Sequence, residues 1–201
     1  MVFMKTSIIQ KALGVQWQHL PEALKKHYLE NDKGENRAQG HLTIDFPWFM
    51  KIPLSILRFF GALINKRGNN LPTNVYRVVS NGEQRWQRRI DFPNNKPVIF
   101  NSVVYHNKNN EIIEFINSVL GMKMKVHVEN NTLRYESNGY VIKLGKLRIP
   151  YPEFLALGHG RIIEKPVDDN DENSFEMDFR LKHPIFGEVF SYKGIFQTIE
   201  S

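Results

Sequence analysis

Polar and apolar residues alternate along most of this chain, and a period of two predicts strands with one face toward an interior and the other toward solvent. The clearest case lies within residues 73 to 91, where two alternating runs, Thr73 to Ser80 and Glu83 to Asp91, meet at Asn81-Gly82. That pair predicts a tight hairpin, because a type I′ turn needs positive φ at both central residues. In the second run Gln84, Trp86, Arg88 and Ile90 share one face, while Arg85, Gln87 and Arg89 share the other. Trp86 and Ile90 mark their face as the buried one, so Arg88 goes inward with them. A guanidinium on an apolar face needs an anion to meet it, supplied by the chain or by a ligand.

The same period organises the rest. Asn36 to Asp45 alternates as a first strand, with Gly40 inside it marking a bulge or a close backbone approach. Val98 to His106 places Val98, Phe100, Ser102 and Val104 on one face, and Met122 to Val128 places Met124 on another apolar face. Glu111 to Ile116 is ambiguous between strand and helix because it is apolar on both sides. Turns are expected at Asn107 to Asn110, Asn130-Asn131 and Asn138-Gly139. Pro150 and Pro152 stiffen the connection from Gly145 to Ala156, which excludes a central strand there. Leu157 to Lys165, the run carrying Phe175, Met177 and Phe179, and Val189 to Gln197 complete the series.

Two stretches depart from it. Within residues 1–32, Thr6 or Ser7 caps a short helix through Leu13, and Leu20-Pro21-Glu22 opens a second with Leu20, Leu24 and His27 or Tyr28 on one face. Residues 46–64 are the most hydrophobic stretch, but Pro47, Lys51, Pro53 and Arg58 interrupt them, so they predict a short helical cover rather than a membrane span. The sum is a single mainly β (α+β) domain over residues 1–201: an antiparallel up-and-down barrel or strongly curved sheet of about ten strands, with N-terminal helices and a cover between the first two strands.

Composition narrows the function. The absence of cysteine excludes disulfides, thiolate metal sites and cysteine nucleophiles, and with no secretory signal at the N-terminus it suggests a cytoplasmic location. A net charge of +6 is spread through the strands and lacks interleaved base-stacking aromatics, so nucleic acid is not expected as a partner. Pro166 to Asn173 is acidic but lacks the glycine and terminal glutamate of a calcium loop, which leaves a solvated hairpin tip. No phosphate loop, serine elbow or paired-carboxylate signature is present, and no cofactor or metal is expected.

Several of these pieces, namely Leu20-Pro21 with Leu24 and His27, Gly40, Trp86-Gln-Arg88-Arg89, the Pro150 region, and Pro184-Ile-Phe-Gly187 with Tyr192-Lys-Gly194, resemble a bacterial family of uncharacterised domains. Members of that family occur alone or fused to saccharopine-dehydrogenase-like reductases, which implies a reductase as a partner by association. The element order is also similar to the fatty-acid-binding branch of the calycin barrels, where an inward arginine fixes a ligand carboxylate and apolar walls hold the tail. That likeness implies a site in which Arg88 anchors the polar end, Tyr192 assists, and Trp86, Phe100, Met124, Phe175, Met177 and Phe179 form the walls. The leading expectation is a binding module for a hydrophobic, anionic small molecule or lipid in an internal cavity. One alternative is acid-base catalysis by His27, His106 or His159 with a carboxylate. Another is a protein-interaction or peripheral membrane module using residues 46–64. The structural alternative for Arg88 is an ion pair with Glu114 or Asp45.

Overall fold

The computed structural model describes residues 6–59, 61, 63–93, 95–168 and 170–199. Residues 1–5 of the expected helical segment and residues 60 and 62 of the expected cover lie outside them. Ser7 caps α1 (Ile8–Leu13) by accepting the Gln10 N–H at 3.0 Å, and a 3-10 turn (Gly14–His19) leads to α2 (Glu22–Tyr28), which Pro21 opens. After β1 (Glu35–Asp45) the cover forms a 3-10 turn (Trp48–Met50) and α3 (Lys51–Phe59). Strands β2 (Gly68–Ser80), β3 (Glu83–Ile90), β4 (Val98–Lys108), β5 (Glu111–Phe115), β6 (Leu120–Glu129), β7 (Thr132–Leu144) and β8 (Leu147–Tyr151) follow. The chain ends in β9 (His159–Pro166), β10 (Ser174–His183) and β11 (Gly187–Ile199).

Successive antiparallel pairing carries the sheet from β1 to β7, and β7 passes it to β9, whence β10 and β11 return it to β1. The result is a closed antiparallel barrel of ten strands, with β8 added as an edge strand on the far half of β7. Closure removes free edges from the wall. At the seam between β1 and β11, a Cβ on Gly40 would lie 2.1 Å from the Ile195 carbonyl oxygen, and one on Gly194 would lie 2.3 Å from that of His41. Only glycine permits that approach.

The Asn81-Gly82 turn forms with both residues at positive φ, as its hairpin requires. Asn138-Gly139 does not turn the chain. Between the pairs Met122 with Tyr140 and Met124 with Ser137, β7 carries an extra residue, and Gly139 at φ +92° absorbs the bulge while the strand continues to Leu144. The turn instead falls at Gly145-Lys146, between the paired residues Leu144 and Leu147. β5 is a strand. Its two apolar faces are explained by a second small cluster of Ile113 and Phe115 with Val141 and Tyr105, separate from the main core that holds Ile112.

Strand direction assigns the loops to two ends. β1 starts, and the β2–β3, β4–β5, β6–β7 and β9–β10 turns lie, at the end where α1 packs on β4, β5 and β6 and α2 packs on β1, β9, β10 and β11. This is the plugged end. Leu20, Leu24 and Tyr28 are fully buried there, and each stabilises the fold by roughly 1.5–3 kcal/mol. The opposite, covered end carries residues 46–59, 61 and 63–67, whose Met50, Leu54, Leu63 and Ile64 join the same core. Among the described residues no helix is long and apolar enough to cross a membrane.

Candidate functional site

The barrel interior combines aromatic walls with a polar band near the plugged end. Arg88 is inward, as its strand period predicts. Its Nη1 donates to Ser102 Oγ at 2.9 Å and its Nη2 to Glu114 Oε1 at 3.1 Å, while Ser102 Oγ donates to the same carboxylate oxygen at 2.6 Å. The guanidinium lies 4.6 Å from the Trp86 ring centre and 5.4 Å from that of Phe100. Glu114 therefore answers its charge within the chain; Asp45, the other expected partner, meets Arg67 at 3.3 Å instead.

A second arginine shares this interior. Arg77 sits on β2 directly across from Trp86, only 1% exposed, its guanidinium 4.8 Å from the ring centres of both Tyr28 and Trp86. Its Nη2 donates to Asn36 Oδ1 at 2.6 Å and faces His27 Nδ1 at 3.2 Å. Burial, then the charges of Arg77 and Arg88, hold the His27 pKa well below its usual value, so the ring is neutral and Nδ1 accepts. Among the described residues, Arg77 Nε and Nη1 are buried without a hydrogen-bond partner, and no carboxylate lies within ion-pair distance. Arginine stays protonated even here, so its charge is held in a medium that opposes it.

The nearby carboxylates respond to burial. Glu164, on β9, accepts from Tyr28 Oη at 2.7 Å, and Tyr28 Oη accepts from Tyr135 Oη at 2.6 Å. Burial raises the Glu164 pKa to about 7, and it does the same to Glu30, which accepts from Gln84 Nε2 at 2.9 Å.

Between the band and the cover lies a cavity of about 40 Å³. Six of the eight predicted site residues line it: Trp86, Arg88, Phe100, Phe175, Met177 and Tyr192. His27 and Glu164 line it from the plugged end, and Leu63 and Ile64 line it from the covered end. Met124 and Phe179 also face inward and are buried, but they lie outside the lining, the Phe179 ring tilted against that of Tyr192 with centres 4.7 Å apart. A void of this size holds a few water molecules, far short of the several hundred Å³ of a usual ligand pocket. The cavity is small because Leu63 and Ile64 bound it at the covered end and His27 and Glu164 bound it at the plugged end.

The other histidines do not build a proton-transfer site in the barrel. His106 faces the Asn109 carbonyl oxygen in a turn at 2.7 Å. His159 is clamped outside the barrel, Nε2 at 2.8 Å from Glu136 and Nδ1 at 3.0 Å from Glu153 and 3.2 Å from Ser137 Oγ. Burial opposes its charge, but the two carboxylates outweigh it and raise its pKa. With carboxylates on both ring nitrogens, neither is free to accept a substrate proton. Among the described residues no group of three acidic or histidine side chains is placed to hold a metal ion.

The fold is a closed ten-strand antiparallel barrel with a helical plug at one end, a separate cover at the other and one arginine, Arg88, in the lining of its cavity. Residues 20–196 match the family described as Domain of unknown function (DUF4166), and the chain belongs to it. It is 25% identical over 215 residues to the uncharacterized protein YndH of Bacillus subtilis (strain 168), a match covering 97% of this chain and 98% of that protein. No solved structure matches the chain.

Proposed function

We propose that the protein binds a small molecule with an apolar body and an anionic group, and that binding displaces Leu63 and Ile64 from the barrel mouth. The observation that carries this reading is Arg77, a fully buried cation with two unanswered nitrogens and no paired carboxylate among the described residues. A buried charge left without a partner is strongly unfavourable, so an anion reaching it gains what the fold alone withholds. Arg77 lies one side chain behind the cavity, in contact with its lining residues His27 and Trp86. Arg88 extends the positive lining toward the cover and retains donors beyond the two that it spends on Ser102 and Glu114.

The cover supports uptake by displacement. Leu63 holds a left-handed backbone at φ +54°, which costs a leucine about 1–2 kcal/mol, so leaving the mouth releases strain. Met177, in the lining, is a side chain that reshapes readily around a guest. Native mass spectrometry of the purified protein, with melting curves in octanoate and decanoate and in the matched alcohols, tests the reading. The carboxylates are expected to raise the melting temperature and the alcohols to do so less. Arg77→Met is expected to weaken the carboxylate effect about tenfold or more, in line with the worth of a charged hydrogen bond. No retained molecule and no shift with any carboxylate overturns the proposal.

A further inference from the structure

The two barrel ends differ on their outsides. Of the eighteen large hydrophobic side chains that stand exposed among the described residues, fourteen belong to the covered end or its protruding β7–β8 hairpin. Scattered exposed hydrophobics need no explanation, but a concentration on one face does. Its centre is a helical stripe along the cover, Trp48 (81% exposed), Ile52 (74%), Ile56 (56%) and Phe59 (86%), spaced so that all four fall on the side opposite Leu54. Phe49 reaches Phe186 of the β10–β11 turn, their ring centres 6.1 Å apart, so the patch runs across two loops.

Charge follows the same face. Residues 46–82 contain Lys51, Arg58, Lys66, Arg67 and Arg77 and no carboxylate, and of these all but Arg77 belong to the cover and its exit. The β7–β8 hairpin adds Lys143, Lys146 and Arg148, again with no acid from residue 137 to residue 152. At the plugged end the β9–β10 turn is instead acidic, with Asp168, Asp171 and Glu172. Asp45, Asp91 and Glu188 also lie at this end and meet Arg67, Arg89 and Arg180, while Lys51, Arg58, Lys143, Lys146 and Arg148 have no carboxylate partner among the described residues. Exposed tryptophan and phenylalanine with such cations nearby is the chemistry of a surface that lies in the headgroup region of an anionic bilayer.

We infer that the covered end docks on an anionic membrane surface, with the Trp48–Phe59 stripe in the interface and the cover's cations on the headgroups. The inference stands on exposed residues alone and holds whether or not the barrel carries a guest. Docked this way, the mouth that Leu63 and Ile64 fill opens toward lipid.

Flotation with vesicles of phosphatidylcholine, with and without phosphatidylglycerol, tests it on the full chain. Association with the anionic vesicles at low salt is expected, falling as salt is raised. Ile56→Asp and Phe59→Asp, both at exposed positions and checked for unchanged melting, are expected to reduce binding about tenfold or more. Lys51→Glu with Arg58→Glu is expected to abolish the preference for phosphatidylglycerol, and Trp48→Phe to remove a lipid-dependent fluorescence shift. Absence of flotation with anionic vesicles at low salt overturns the inference. So does a stable dimer in ultracentrifugation that Phe59→Asp dissolves while vesicle binding is absent.

Discussion

Both mouths of this barrel are closed by helix, yet the closures are of opposite kinds. At the plugged end α2 is tied down by directional bonds: Tyr28 to Glu164, Tyr135 to Tyr28, and Asn36 Nδ2 to the carbonyl oxygens of Lys26 (3.1 Å) and Leu29 (2.7 Å). At the covered end α3 buries Leu54, keeps its stripe exposed, leads to a strained Leu63, and is held by exposed bonds: Arg58 Nη1 donates to the Ile99 carbonyl oxygen at 3.4 Å and Asn65 Nδ2 to Ser55 Oγ at 3.1 Å. Polar networks in a low-dielectric interior specify one arrangement, whereas solvent-exposed hydrogen bonds and a thin apolar contact part and re-form more readily. The plug is thus the fixed floor, and the cover is the element suited to move.

The largest expected effect breaks the floor. Tyr28→Ala removes a fully buried ring and leaves Glu164 and Tyr135 short of a partner, and it is expected to cost about 3–5 kcal/mol in urea unfolding. Trp48→Ala, at the opposite end and exposed, is expected to stay within about 0.5 kcal/mol. Equal losses at the two sites would erase the distinction between the ends.

Next in size is a pH effect confined to the plug. Glu30 and Glu164 have folded pKa values raised by burial to about 7, above the unfolded value of 4.5, so the native state binds protons more tightly. Their contribution to stability is therefore greatest below the unfolded value and is lost as pH rises through about 7, by an amount on the order of 3 kcal/mol per group. Urea midpoints at pH 5 and pH 8 measure it, and Glu164→Gln, which keeps an acceptor for Tyr28, is expected to shrink the difference. His27, held neutral in the fold, acts in the opposite sense because its unfolded ring takes up a proton below about 6.5. The comparison therefore decides: a pH 5 to pH 8 difference left unchanged by Glu164→Gln would contradict the assignment.

The smallest effect sharpens the contrast at the cover. Leu63→Gly relieves the positive φ but gives up burial, for a net loss of roughly 1 kcal/mol. Hydrogen exchange is expected to quicken over residues 50–67 and stay unchanged over residues 20–34, whereas acceleration in both segments would show that the ends open together.

How much of this could be read in advance follows from what alternation reports. A period of two tells which side of the wall a side chain takes, and Trp86, Arg88, Phe100 and Phe175 all face inward as read. It does not tell the height along the barrel axis, and that is why Met124 and Phe179 are inward yet away from the cavity. Arg77 is legible by the same rule, since Leu71, Thr73, Val75, Arg77 and Val79 share the buried face of β2, but alternation does not say which inward arginine meets a carboxylate. The partner of Arg88 is Glu114, two strands away, and only the register of β3, β4 and β5 brings them together. Asn138-Gly139 misled because a dipeptide that suits a turn also suits a bulge when the partner strand runs on past it.

The seam at Gly40 and Gly194 joins the first strand of the wall to the last. No shorter stretch emerging from a ribosome can seal the ring: until residues 187–199 are out, β1 and β10 both present bare backbone able to recruit another molecule. Synthesis of this protein therefore passes through an open sheet with two adhesive margins, and the speed of its final zippering sets how long each nascent chain stays exposed to aggregation.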